Sequence, residues 1–344
     1  MSPRSPHKDF LEYWSSVKPQ LDEGCRRWIP ELSRDLPSEQ WKSVYQTLEA
    51  GKRIRGCLVC LISEALGGKI EDAIPRAVAI ECIQAASLIH DDYVDQDRIR
   101  RDRPATWTLE GPRRAVLLGD LIFATAIQKL MEMSREDGLV ITQAIATMAK
   151  GVYQEPHNPS TLTHAISQGT YRPELYNDII RLKTGALFGT ASKLGAVAAQ
   201  ASEEEMRHAF EFGARLGEAY QLADDLHEVM RLGEQADDVP TRMVGLAPVF
   251  LYFSPERISQ LLPLLAGAEN GDQEWIAHAL PVLATRMRQE IEIRLELAIK
   301  EIKGFPNNPH TRLLRAAPLE MVRMQEHILP TTPDQGGNQP VSWP

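Results

Sequence analysis

Apolar residues recur at three- and four-residue intervals through residues 38–66, 70–97, 113–133 and 138–153, with Gly, Pro or charged breaks between these stretches. That period gathers the apolar positions on one face of an α-helix, so the chain reads as a run of antiparallel helices. The first 35 residues are mixed and Pro-punctuated and predict one amphipathic helix around 10–29. The turn residues of 155–160 predict a loop, after which helical patterns resume over 175–199 and 203–232. Beyond Pro240 the pattern predicts two or three weaker helices to about Leu329, and the Pro/Gly/Gln-rich stretch 330–344 predicts a disordered tail. With no internal repeat or strong linker, residues 36–329 are expected to form a single all-α domain, a helical bundle, behind a 1–35 helical extension.

Composition agrees with helices. Apolar residues are 43% of the chain but aromatics only 6%, and the Ala/Leu/Ile-rich blocks leave few strand signals. No uncharged apolar run reaches the length needed to span a bilayer, and residues 1–10 carry charges with no apolar leader segment. The expectation is a soluble, uncleaved, cytoplasmic protein without a membrane anchor. A net charge of −9 and a pI near 5.6 argue against a nucleic-acid partner. The basic residues are instead gathered in short clusters, Gly51-Lys52-Arg53-Ile54-Arg55 and Arg98-Ile99-Arg100-Arg101, which suits a small anionic ligand. Cys57 and Cys60 have a metal-like spacing but no second pair and no turn residues beside them, so a buried helical face is expected rather than zinc.

Candidate chemistry begins with Gln84, Ser87, Asp91 and Asp95, whose offsets of three, four and four residues align them on one helical face. Carboxylates one turn apart can share hard divalent cations such as Mg2+, which takes its remaining ligands from water and phosphate. A second acidic cluster, Gln221-Leu222-Ala223-Asp224-Asp225-Leu226-His227-Glu228, is expected to close another small-residue helix, with Gln221, Asp224 and Glu228 on one face. Each cluster alone reads equally as a solvated acidic surface. Two of them opposed across a cavity need cations between them, and a diphosphate is a natural bridging anion. Lys52 with Arg55, Arg100 with Arg101, and Lys183 in Arg181-Leu182-Lys183-Thr184-Gly185 supply the counter-charge. Together these residues describe two anion pockets, one metal-bridged and one read mainly by Lys and Arg. No Ser/His/Asp or Cys/His arrangement competes, and a departing diphosphate needs Lewis-acid and cationic stabilisation rather than a protein nucleophile.

Five stretches, in this order, carry a family resemblance: Gly51-Lys52-Arg53-Ile54-Arg55; Ser87-Leu88-Ile89-His90-Asp91-Asp92-Tyr93-Val94-Asp95 followed by Arg100-Arg101-Asp102-Arg103-Pro104; Leu118-Gly119-Asp120; Lys183-Thr184-Gly185-Ala186-Leu187-Phe188; and Gln221-Leu222-Ala223-Asp224-Asp225. Over residues 38–229 the chain resembles the trans-type isoprenyl diphosphate synthases, the farnesyl and geranylgeranyl diphosphate synthase group. The resemblance implies an isoprenoid-synthase helical bundle around a central apolar cavity, usually a homodimer, with Mg2+, three ions per site, between the acidic motifs. It implies that Asp91 and Asp95 hold metal with Asp92 close by, that Asp224 holds a further ion, and that Asp225 and Glu228 offer further oxygens. Arg100, Lys183, Thr184 and Gln221 would contact the allylic diphosphate, and Lys52, Arg55, Gln84 and Arg101 the isopentenyl diphosphate acceptor. The implied reaction is metal-assisted loss of diphosphate, attack of the acceptor double bond on the allylic cation, and proton removal by the departing diphosphate.

Small residues at Ala86 and Ser87, the latter about 6 Å below Asp91 on the same face, imply a deep cavity in this family. A geranylgeranyl or longer product is expected unless Phe123 or Met148 floors the cavity. The chain departs from the family pattern at Gln84, where His is usual, at Gly56 in place of Pro, and at Glu228 in place of Asp. The larger departure is 230–240, where a lysine-bearing loop is usual and this chain has no lysine; Arg231 or Arg242 would have to substitute. That change keeps two alternatives open: a terpene synthase or cyclase, or a prenyltransferase to another acceptor, on the same scaffold. A non-catalytic partner subunit is the third. The presence of Lys52, Arg55 and Arg101 favours elongation with isopentenyl diphosphate, and the intact Asp91, Asp92 and Asp95 count against the subunit.

Overall fold

The apolar periodicity condenses into helices in a computed structural model, which describes residues 6–32, 41–49, 51–101, 103–155, 174–234 and 273–326, and single positions 34, 36, 164 and 168. In chain order these are α1 (Pro6–Leu32), α2 (Trp41–Glu49), α3 (Ile54–Ala65), α4 (Ile70–Val94), α5 (Thr106–Glu110), α6 (Pro112–Met133) and α7 (Arg135–Gln154). They continue as α8 (Leu175–Ile180), a π-helical segment (Arg181–Gly185), α9 (Ala186–Ala198), α10 (Glu203–Glu234), α11 (Gln273–Glu301) and α12 (Pro309–Glu326). The described residues hold one short antiparallel ladder, β1 (Ile99–Arg100) with β2 (Arg103–Pro104), in the register Ile99↔Pro104 and Arg100↔Arg103.

Two helices are apolar on nearly every side and therefore lie at the centre. In α3 the run Cys57–Ile62 is fully buried, and in α9 all positions but Lys193 are buried. These two pack on each other, α4 and α10 flank them, and α6, α7 and α11 complete the bundle. The α3–α9 crossing is close enough that a Cβ at Gly195 would collide with the Val59 carbonyl oxygen, so only glycine fits there. The N-terminal helix is longer at both ends than the apolar pattern predicted and packs on α12, α2 and α4, with Phe10 and Leu21 fully buried. Cys57 and Cys60 are buried free thiols of α3, as a helix core face requires.

No helix among the described residues is long and apolar enough to cross a membrane. The expected tail 330–344, the turn residues 156–160, most of the altered stretch 230–240 and any helix within 240–272 lie outside the described residues.

Candidate active site

The last turn of α4 carries Asp91 and Asp92, and Asp95 caps it with its N–H on the Asp91 carbonyl oxygen. Carboxylates at a helix C-terminus oppose the helix dipole, so this turn is a local conflict of the kind found at functional sites. The second acidic cluster was expected to close its helix and does not. Helix α10 runs on to Glu234, so Gln221–Glu228 lies inside it; no Gly or Pro interrupts the sequence until Gly233. Both acidic faces contribute to one cleft of about 1020 Å3, whose wall includes Asp91, Asp92 and Asp224. Lys52, Arg55, Gln84, Ser87, Arg100, Arg101, Lys183, Thr184 and Gln221 line the same cleft.

Within it the charges are paired. Lys183 Nζ sits 3.2 Å from Asp91 Oδ1 and donates to Glu155 Oε2 at 2.8 Å. Burial works against that ammonium, but Asp91, Glu155 and Asp95 outweigh it and hold its pKa above the lysine norm. Arg100 Nε donates to Asp92 Oδ1 at 2.6 Å, while burial still raises the Asp92 carboxyl. Desolvation first and the neighbouring Asp91 charge second push Asp95 up to about 6. The hairpin β1–β2 presents Arg100 and, at a left-handed φ of 53°, Arg101. That conformation is the one a two-residue hairpin turn favours at its first central position.

Lys52, Arg55 and Arg101 line the same cleft and act on one another's charges. Lys52 Nζ donates to the Met324 carbonyl oxygen at 2.7 Å, and burial brings its pKa down to about 8. The Arg55 guanidinium lies 4.2 Å over the Phe188 ring, and its Nε has no hydrogen-bond partner. Burial lowers the pKa of both Arg55 and Arg101, so an incoming anion would stabilise both charges. The apolar part of the wall includes Phe123, Ile145 and Met148, with the His90 ring edge-on to Phe123 at 5.5 Å between centroids. A Cβ at Gly119 would collide with the His90 ring, which accounts for glycine there.

Not every residue singled out in the sequence faces the cleft. Ala86 is fully buried and Asp95 and Asp225 are not part of the wall. Asp225 accepts hydrogen bonds from Tyr176 and Gln221, and burial raises its pKa to about 6 against both of them. The Glu228 side chain lies outside the described residues.

Sequence reasoning missed several contributors. The wider turn of the π segment carries Lys183 and Thr184, and such segments recur at functional sites. Tyr220 lines the cleft, with burial raising its pKa to about 12. Glu155, read only as a turn residue, is the Lys183 partner. Arg53 turns inward from the basic motif, 3% exposed, to Asp22 at 2.8 Å, Glu81 at 3.7 Å and the Leu48 carbonyl. Glu81 also accepts from Gly56 N at 2.7 Å, in the first turn of α3, next to Arg55.

Among the described residues no three His, Cys, Asp or Glu side chains converge as a ready-made metal cluster. The acidic groups on the cleft wall include Asp91, Asp92 and Asp224, all hard oxygen donors, and the Asp91 charge bears on Asp95, one turn further along the chain. That set fits a hard divalent cation completing its shell with water and phosphate, and does not fit a closed all-protein site.

Comparison with known proteins agrees. Residues 40–240 match the polyprenyl synthetase family. A geranylgeranyl diphosphate synthase of Sulfolobus acidocaldarius is 31% identical over 232 residues, 67% of this chain and 67% of that protein. A short chain isoprenyl diphosphate synthase of Methanothermobacter thermautotrophicus is 31% identical over 280 residues, 80% of this chain and 83% of its own length. A decaprenyl diphosphate synthase structure from Rhodobacter capsulatus shares the fold with a TM-score of 0.75 at 23% identity, covering 93% of this chain and 99% of that one. A geranylgeranyl pyrophosphate synthetase structure from Pyrococcus horikoshii does so with a TM-score of 0.75 at 24% identity, covering 91% and 97%. By its family match and its motifs, the chain belongs to the polyprenyl synthetase family, the trans-type isoprenyl diphosphate synthases.

Proposed function

We propose that the cleft condenses an allylic diphosphate with isopentenyl diphosphate to give a longer trans-prenyl diphosphate. One observation carries this reading: two acidic helix faces and two separate sets of cations open on a single cleft that also has an apolar wall. A cleft serving one diphosphate has use for one set of cations. The second set, Lys52, Arg55 and Arg101, supports a second diphosphate, that of the acceptor. Gln84 stands on the same wall and can donate to a phosphate oxygen in place of a histidine.

The family reaction uses a divalent metal. In this chain Asp91, Asp95 and Asp224 would hold it, as Mg2+ and as three ions, with Asp92 oriented by Arg100 beside them. Bound Mg2+ supplies Lewis-acid stabilisation of the charge that develops on the departing diphosphate. Arg100 and Lys183 add fixed positive charge on the same oxygens, and Thr184 and Gln221 add polar contacts. The allylic C–O bond breaks with its electron pair on the diphosphate, the acceptor double bond attacks the cation, and the departing diphosphate takes the proton. The apolar wall keeps water from the cation. Large exposed apolar residues on α6 and α7, Leu117, Met131 and Leu139, support a homodimer covering that side.

Incubation with Mg2+ and each allylic diphosphate, with and without isopentenyl diphosphate, tests the reading. Elongated diphosphates formed only with isopentenyl diphosphate support it; hydrocarbons formed without it replace it with the cyclase.

Chain length depends on the floor of the cleft. Ser87 leaves room below Asp91, and Phe123, braced on His90, is the bulkiest apolar group on the wall. Truncating it opens a cavity the helices do not refill. Phe123→Ala is expected to shift products upward by about one isoprene unit or more, read from the chain lengths of dephosphorylated products. An unchanged length distribution would place the floor elsewhere.

A further inference from the structure

A chain of side-chain hydrogen bonds runs from the core to the cleft wall across three elements. Tyr176, 3% exposed near the start of α8, donates its hydroxyl to Asp225 Oδ2 at 2.6 Å. On α10, Asp225 Oδ1 accepts from Gln221 Nε2 at 3.0 Å. In the π segment, Thr184 Oγ1 donates to Gln221 Oε1 at 2.7 Å. Only the last two residues, Gln221 and Thr184, line the cleft.

The chemistry of these groups fixes the direction of every bond. A carboxylate offers acceptors only, so the neighbouring amide must turn its NH2 group toward Asp225. A flipped amide would set two oxygens 3.0 Å apart. With the amide so turned, its oxygen faces Thr184, and the threonine spends its one hydroxyl proton on it. The cleft is left with the second N–H of Gln221 and the lone pairs of Thr184, in a fixed orientation.

Asp225 is the hinge of this arrangement, and its other oxygen is occupied by Tyr176. Without the phenol, that oxygen is left to compete for the Gln221 NH2 group, and the amide is free to swing. A buried charged acceptor that loses one donor draws on whichever donor remains.

We infer that Tyr176 is a positioning residue for the allylic diphosphate, acting through Asp225 to hold the Gln221 amide and the Thr184 hydroxyl in the orientation that receives it. This rests on the reading above that Gln221 and Thr184 contact the allylic diphosphate, and it is independent of which acceptor follows. It also gives Asp225 a role distinct from that of Asp224: one orients the amide, the other faces the cleft.

The test is Tyr176→Phe, which keeps the ring in the core and removes only the hydroxyl. Calorimetric titration with a non-ionising geranyl thiolodiphosphate and, separately, with isopentenyl diphosphate, both with Mg2+, reads the two pockets one at a time. The expected result is an approximately ten-fold weaker Kd for the thiolodiphosphate, the loss typical of one hydrogen bond to a charged group, with the isopentenyl diphosphate Kd within about two-fold. In a Gln221→Leu background the effect of Tyr176→Phe should shrink, because Gln221 is the link through which Asp225 reaches the cleft. Equal weakening of both ligands marks a purely structural role and overturns the inference. So does an unchanged thiolodiphosphate Kd, or an effect of the same size in the Gln221→Leu background. The acceptor assignment stands or falls separately, on the product assay.

Discussion

Asp91→Ala is expected to lower turnover by about three orders of magnitude, the scale of losing a group that stabilises developing charge in a water-poor site. Two losses add at this position. The carboxylate lies in the cleft wall beside Asp92 and one turn from Asp95, so its removal takes away one of the pair that would share a cation. It is also the Lys183 partner at 3.2 Å, and without it Lys183 keeps Glu155 as its direct partner with the Asp95 charge nearby. Steady-state turnover with saturating Mg2+ and both substrates checks this, with melting temperature as the folding control. A turnover within ten-fold of the parent in a normally folded variant would remove Asp91 from the metal site.

Arg53→Ala should produce the largest loss of stability. The guanidinium is 3% exposed and holds Asp22, Glu81 and the Leu48 carbonyl together from a left-handed backbone at φ 55°. Removing one partner from a buried ion pair leaves uncompensated charge and typically costs about 3–5 kcal/mol. For a chain of this size that is a fall of about 4–7 °C in melting temperature. Glu81, 6% exposed, then keeps the Gly56 N–H in the first turn of α3, and Lys52 and Arg55 lose the anchored residue between them. Arg53→Lys should recover little, because a lysine cannot span the same acceptors with a planar fork. Thermal unfolding of the two variants decides it; a shift under about 2 °C for Arg53→Ala would show that the network adds no net stability.

The helices were legible because their apolar faces repeat at 3.6 residues, and α4, α6 and α7 lie within a few residues of where the pattern put them. The acidic motifs and the basic clusters were legible as chemistry and were brought to one cleft. What escaped is set by contacts distant in sequence. The π segment needs one residue too many in the turn, and it is held where a Cβ at Gly151 of α7 would come within 2.9 Å of Leu182 and Lys183, a contact no local pattern announces. Arg53 reads like its neighbours in a basic motif, and no local pattern announces that its guanidinium is spent on Asp22, Glu81 and the Leu48 carbonyl although it borders the cleft with Lys52 and Arg55. The Lys52 bond to Met324 joins residues 272 apart in the chain. Tyr176 has no motif of its own, and its place next to Asp225 follows from how α8 meets α10.

The most direct measurement is incorporation of labelled isopentenyl diphosphate into an acid-labile allylic product by the purified chain with Mg2+ and an unlabelled allylic diphosphate. Two anion pockets in one cleft predict label in a product at least one isoprene unit longer than the allylic substrate, lost when Mg2+ is chelated. Consumption of the allylic diphosphate without incorporation of label would contradict it and reassign the second set of cations.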